Sequence, residues 1–163
     1  MASSGKNMEK ATLAAGCFWG VQLNLDQAHG VISTTVGYTA GHTKNPTYET
    51  ICSGQTNHAE AVEVIFDPGK ITFEQLLALF WQFHDPTTLN QQGPDRGSQY
   101  RSAIYYHSEK QRQTAQASLA QCAASGLWPN PIVTEITKAS QFWPAEDYHQ
   151  KYLEKRNIKI SCH

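Results

Sequence analysis

Ala14-Ala15-Gly16-Cys17-Phe18-Trp19-Gly20 sets one cysteine, flanked by glycines and followed by two large aromatics, where one residue pattern gives way to another. Before it, 11–15 is short and apolar, as a buried strand would be. After it, Val21, Leu23 and Leu25 stand among Gln and Asn, and 18–28 reads as a helix. A cysteine at a strand-to-helix junction lies beside the unpaired N–H groups of the helix start. Those groups and the helix dipole favour a thiolate, and hence a nucleophile. Gly16 and Gly20 would let the chain turn tightly and leave the sulfur accessible. A buried structural cysteine among core aromatics fits the same residues.

Strands and helices interleave outward from this junction. Val31 to Tyr38 is rich in β-branched residues and reads as a strand. Residues 39–57 read as a long loop, broken by Tyr48–Cys52. Residues 58–66 alternate: His58, Glu60, Val62, Val64 and Phe66 share one face, with Ala59, Ala61, Glu63 and Ile65 on the other. Thr72-Phe73-Glu74-Gln75 is a capping box that opens a helix to Phe83. Residues 84–101 form a second long loop, and loops of such length are usually functional. Residues 103–106 read as a strand. Ser108-Glu109-Lys110-Gln111 is a second capping box, with its helix running to Ser125. Residues 132–137 read as a strand and 146–155 as a helix. The fold class expected is α+β, one two-layer domain over residues 1–163 with a loose arm over 1–9.

The chain has 163 residues, enough for one self-sufficient core. Its formal net charge of −1 gives no electrostatic case for nucleic acid or an anionic membrane. No apolar run approaches a membrane span, and the polar N-terminus lacks a secretory core, so a cytoplasmic setting is the default. Cys17, Cys52, Cys122 and Cys162 form no C-x-x-C pair and no zinc spacing. Nothing demands an oligomer, and a monomer is expected.

Glu60 points to the apolar face of its strand, where burial would keep its carboxyl protonated and able to act as a general acid. A strand-end glutamate reaching water past His58 is the alternative. Tyr48 and Tyr100 lie in the two loops and could donate to an oxygen gaining negative charge, or simply pack. Asp95 could orient a partner or water, or be a solvated turn residue. The histidines 58, 84, 107 and 149 show no metal spacing and read as structural or supporting residues. Cys162, next to last, could swing onto an oxidised sulfur or be an incidental thiol. Cys52 and Cys122 read as small hydrophobes.

Several stretches carry a resemblance that spans residues 11–154. They are Gly16-Cys17-Phe18-Trp19-Gly20, Gly37-Tyr38-Thr39, Asn45-Pro46-Thr47-Tyr48, Cys52-Ser53-Gly54, His58-Ala59-Glu60-Ala61-Val62, His84-Asp85-Pro86-Thr87, Gly97-Ser98-Gln99-Tyr100-Arg101-Ser102 and Ala145-Glu146-Asp147-Tyr148-His149-Gln150. In this order they resemble the class A peptide methionine sulfoxide reductases, enzymes that return one epimer of methionine sulfoxide to methionine. The resemblance implies a ferredoxin-like core, a mixed sheet layered with helices, long active-site loops and an extended C-terminal tail, 156–163. It implies that Cys17 attacks the sulfoxide sulfur, that Glu60 protonates the oxygen, and that Tyr48 and Tyr100 bind that oxygen. Phe18 and Trp19 would wall the S-methyl pocket, and Asp95 would belong to the surrounding water network. Cys162 would resolve the Cys17 sulfenic acid into a disulfide, which thioredoxin would reduce. No metal or organic cofactor is implied. Gln22 departs from the glutamate usual after the nucleophile, Pro94 from an asparagine, and the tail lacks the usual glycine-rich two-cysteine stretch.

Two other classes compete. A cysteine hydrolase would pair Cys17 with His58 or His149 as base, and would turn over a thioester or peptide without sulfoxide. A redox sensor or peptide-binding module would explain an exposed thiol but not Glu60 with Tyr48 and Tyr100.

Overall fold

The computed structural model describes residues 8–155. In chain order the elements are β1 (Glu9–Ala15), α1 (Phe18–Asp26), β2 (Val31–Thr39), α2 (Tyr48–Cys52), β3 (Ala59–Phe66) and α3 (Phe73–Phe83). The short strands β4 (Gln91–Gln92) and β5 (Asp95–Arg96) follow, then a 3-10 turn (Ser98–Tyr100), β6 (Ser102–Tyr106) and α4 (Glu109–Ser125). The chain continues through β7 (Glu135–Lys138), β8 (Phe142–Pro144), a second 3-10 turn (Asp147–His149) and α5 (Tyr152–Lys155). Six strands make one mixed sheet in the order β7-β6-β1-β3-β2-β8. All its neighbours are antiparallel except β6 and β7.

Period-2 patterning decides the layering. Leu13 of β1, Val36 and Tyr38 of β2, Val62, Val64 and Phe66 of β3 and Ile104 of β6 face one way. They pack on Phe18, Val21 and Leu25 of α1 and on Leu76, Leu77 and Phe80 of α3. The opposite face carries Ala14, Ala59, Ala61 and Ala103 around Tyr105. The 40–58 segment leaves β2 with Ala40 packed on this small-residue face, while its Ile51 joins the core on the other. His58 pins that segment: its Nδ1 accepts from the Gly41 N–H at 3.0 Å and its Nε2 donates to the Thr43 carbonyl at 2.8 Å. A Cβ on Gly41 would collide with the His58 ring and the Thr56 carbonyl, so only glycine fits.

Four predicted elements come out differently. Residues 132–134 do not join the sheet, because the Val133 N–H donates to the Pro86 carbonyl at 2.8 Å and the Thr134 hydroxyl pairs with Ser102 Oγ at 2.7 Å. The predicted helix 146–155 breaks in two at Lys151, whose φ is +59°. There the chain is spent on outside partners. The Gln150 side chain accepts from the Val36 N–H and donates to the Val36 carbonyl, both at 3.0 Å, and the Lys151 N–H donates to Gln22 Oε1 at 2.7 Å. The second capping box is half formed. Ser108 accepts from the Gln111 N–H, while the Gln111 amide binds the His107 N–H and the Lys10 carbonyl instead. The strand predicted over 11–15 begins at Glu9, inside the expected arm. Residues 1–7 and the tail 156–163, with Cys162, lie outside the described residues. Among the described residues no helix is long and apolar enough to cross a membrane.

Candidate active site

The site gathers at the sheet end where β1 passes into α1. Gly16, at φ +95°, turns the chain, and Cys17 stands partly buried as the N-cap of α1. The first N–H of a helix lacks an intrahelical acceptor. Here the Phe18 N–H donates to Glu60 Oε1 at 3.2 Å. Glu60 arrives from β3 on the side that carries Val62, Val64 and Phe66, and is only 1% exposed. Its Oε2 is buried with no hydrogen-bond partner from the protein. Burial raises the Glu60 pKa well above the usual carboxylate range. Cys17 and Asp95 add to the rise, and the Phe18 N–H opposes it. The group is therefore poised as a neutral acid with one oxygen anchored and the other unclaimed.

Two phenols stand beside it. Tyr48 opens α2, whose start is fixed by reciprocal bonds between Thr47 and Thr50. Tyr100 closes the 3-10 turn that follows the β4–β5 hairpin. Both hydroxyls are held above the ordinary tyrosine pKa, first by burial. Cys52, Glu60 and Cys17 add to this at Tyr48, and Glu60, Tyr48 and Asp95 add to it at Tyr100. Cys17, Glu60, Tyr48, Tyr100 and Asp95 thus each interact electrostatically with at least one other of the group. Each phenol stays a hydrogen-bond donor across the working pH range.

An aromatic wall completes the site. Phe18 is 1% exposed and packs on Tyr38 and His149, with ring centroids 5.6 and 5.2 Å away. The Trp19 Nε1–H donates to His149 Nδ1 at 2.9 Å, and Tyr152 stacks on the indole. Sequence reasoning assigns His149 only a structural or supporting role, or that of a hydrolase base, and assigns Glu146 no role of its own. His149 is fully buried, also touches the Tyr48 ring at 4.6 Å, and has its pKa lowered by burial. It is neutral, with Nδ1 accepting from the indole. Glu146 accepts from the Tyr38 hydroxyl and from the Tyr48 N–H, each at 2.9 Å, and so holds the start of α2. Burial pushes the Glu146 carboxyl up, but bonds from the Tyr48 and Glu146 N–H groups and the Tyr38 hydroxyl outweigh it, and its pKa is lowered. The only sequence signal for both residues was the block 145–150. Cys122 is buried as expected, whereas Cys52 is exposed, contrary to its reading as a small hydrophobe. It ends a five-residue helix whose buried side chain is Ile51.

A groove of 780 Å³ lies elsewhere. Asn24, Leu79, Phe83, Asp85 and Trp128 line it, and no candidate site residue does. The site is better placed by its chemistry than by volume. Among the described residues no group of three or more His, Cys, Asp or Glu side chains could hold a metal ion, and no cysteine is in a disulfide.

Comparison with known proteins points to one family. The family model for peptide methionine sulfoxide reductase matches residues 9–163. The peptide methionine sulfoxide reductase MsrA of Methanosarcina acetivorans is 55% identical over 154 residues, covering 94% of this chain and 82% of that protein. Reduced Mxr1 of Saccharomyces cerevisiae superposes with a TM-score of 0.90 at 34% identity, covering 96% of this chain and 90% of Mxr1. Mxr1 in complex with Trx2 gives a TM-score of 0.65 at 26% identity, over 90% and 86% of the two chains.

Proposed function

The chain belongs to the peptide methionine sulfoxide reductase family, and on that premise we propose how its own residues reduce methionine S-sulfoxide, free or in proteins. It is a thiol-dependent oxidoreductase recycled by thioredoxin. Cys17 is the nucleophile at the sulfoxide sulfur. Glu60 delivers its proton to the sulfoxide oxygen, which leaves poorly unless protonated. Tyr48 and Tyr100 donate to the same oxygen as charge builds on it. Phe18 and Trp19 wall the S-methyl group, and Asp95 orders the water around them. Methionine leaves and the oxygen stays on Cys17 as a sulfenic acid, so the thiol has lost two electrons. A second thiol then forms a disulfide with Cys17 and releases water. The two electrons come back from a thioredoxin dithiol by exchange.

The observation that carries this reading is the buried, raised Glu60 carboxyl beside the Cys17 helix start, with one oxygen unclaimed. It favours reduction over acyl transfer, which needs a base at this place rather than an acid. Turnover of the separated S and R epimers of an N-blocked methionine sulfoxide, with dithiothreitol as reductant, is the test. The S epimer alone is consumed. Loss of neither epimer would overturn the assignment.

Cys162 is the proposed resolving thiol. One equivalent of sulfoxide without reductant should give a Cys17–Cys162 disulfide by mass spectrometry. Cys162→Ser should still release one methionine per enzyme but lose thioredoxin-driven turnover. A Cys17–Cys52 link, or a persistent sulfenic acid in the parent, would refute it. The order β6-β1-β3-β2, with α1 and α3 as crossovers, supports reading the core as ferredoxin-like within a single catalytic domain. A cytoplasmic setting suits a cycle that needs a reducing partner.

A further inference from the structure

α5 has four residues, none of them buried. So short a helix does not hold itself together. Yet Tyr152 on it lies flat on Trp19, with centroids 3.9 Å apart and planes within 11°. One anchor for it stands one residue earlier. Lys151 has the left-handed φ of +59°, which turns its N–H away from the chain and onto Gln22 Oε1 at 2.7 Å. Its ammonium meets Asp26 Oδ2 at 2.6 Å.

Gln22 is 1% exposed and uses both ends of its amide. Nε2 donates to the Thr34 hydroxyl at 3.0 Å and the Thr34 carbonyl at 3.3 Å, while Oε1 takes the Lys151 N–H. The Thr34 hydroxyl in turn donates to Asp26 Oδ1 at 2.6 Å. The ring of bonds thus closes across α1, β2 and the segment entering α5. A carboxylate at position 22 could not do this, since it has no N–H to offer the Thr34 carbonyl.

We propose that Gln22 and Lys151 are positioning residues for the substrate's S-methyl pocket. Their clasp holds Tyr152 against Trp19 and so sets where the indole stands. The proposal rests on Trp19 being a wall of that pocket. His149 holds the indole's edge through one hydrogen bond and a tilted ring contact, centroids 5.6 Å apart. Tyr152 fixes its face.

The test compares KM and kcat for an N-blocked methionine S-sulfoxide with dithiothreitol, so that recycling through the tail does not enter. Gln22→Glu should raise KM about tenfold and leave kcat within about twofold, the pattern of lost ground-state binding. In a Tyr152→Leu background the same change should move KM less than about twofold, because residues acting in series are not additive. Lys151→Asn keeps the N–H and tolerates positive φ but loses the ammonium, and should raise KM about threefold; Lys151→Arg should restore it. This second pair carries the test should Gln22→Glu fail to fold. An unchanged KM in Gln22→Glu or Lys151→Asn, or an effect of Gln22→Glu undiminished in Tyr152→Leu, overturns the clasp. Trp19→Ala separates the two layers. If it leaves KM unchanged, the pocket-wall reading has failed. If it raises KM while the clasp variants do not, only the clasp has failed.

Discussion

Glu60→Gln is expected to slow the first methionine released per enzyme by about 10²–10⁴-fold, the usual worth of a positioned general acid, with substrate binding nearly kept. The amide can still accept from the Phe18 N–H, as Oε1 does at 3.2 Å, and can still offer an N–H to the sulfoxide oxygen. It cannot give a proton. Parent enzyme should slow as pH climbs through the raised pKa of Glu60. Single-turnover rates from about pH 6 to about pH 9 measure this, and a flat profile would count decisively against the acid role.

The same carboxyl bears on stability with a definite sign. Its folded pKa lies above the unfolded value because burial penalises the anion. Its favourable contribution is therefore fully present below the unfolded pKa, about 4.3, and is lost as pH rises through the folded pKa. Thermal melts of Glu60→Gln should converge on the parent in acid and rise above it at neutral pH and beyond. One fewer titratable carboxyl at the site would then mean a firmer protein and a poorer catalyst.

Tyr48→Phe with Tyr100→Phe is the second large effect. Removing one donor of an oxyanion-type site costs about 10²–10³ in kcat, and the pair should cost at least as much. Each single change should cost less than half the logarithm of the double if either phenol can partly cover for the other. The rings should stay in place. Tyr48 is fixed by its N–H on Glu146 and by its face on His149, neither of which involves the hydroxyl. Steady-state kinetics should show kcat falling with KM little moved. A double variant with full kcat would mean that the phenols only pack.

Much of this was legible because it is periodic or local. The face of β3 that buries Glu60, the Thr72–Gln75 cap of α3 and the strand-to-helix junction at Cys17 follow from spacing alone. What was not legible depends on partners distant in sequence. The helix predicted over 146–155 fails because Gln150 and Lys151 spend their hydrogen bonds on Val36 and Gln22, more than a hundred residues away. The roles of His149 and Glu146 are likewise invisible in their neighbours. A buried imidazole acquires meaning only when Trp19 and Tyr48 are brought against it. Cys52 misled for the opposite reason, since an apolar Ile51 beside it says nothing about which side of a five-residue helix faces out.

Gln22 and Gln150 have one more effect. β8 pairs only with Gly37 to Thr39 of β2, and beyond it the Ala145 N–H reaches the Val36 carbonyl at 2.9 Å, so the earlier part of that strand lacks a full neighbour. Gln22 takes the Thr34 carbonyl, and Gln150 takes both the N–H and the carbonyl of Val36. Side-chain amides thus stand in for the missing neighbour strand. An open border of this kind is a template on which another chain can add, and a principal route to aggregation. In this protein it is occupied at Thr34 and Val36, which narrows the stretch on which another strand could add.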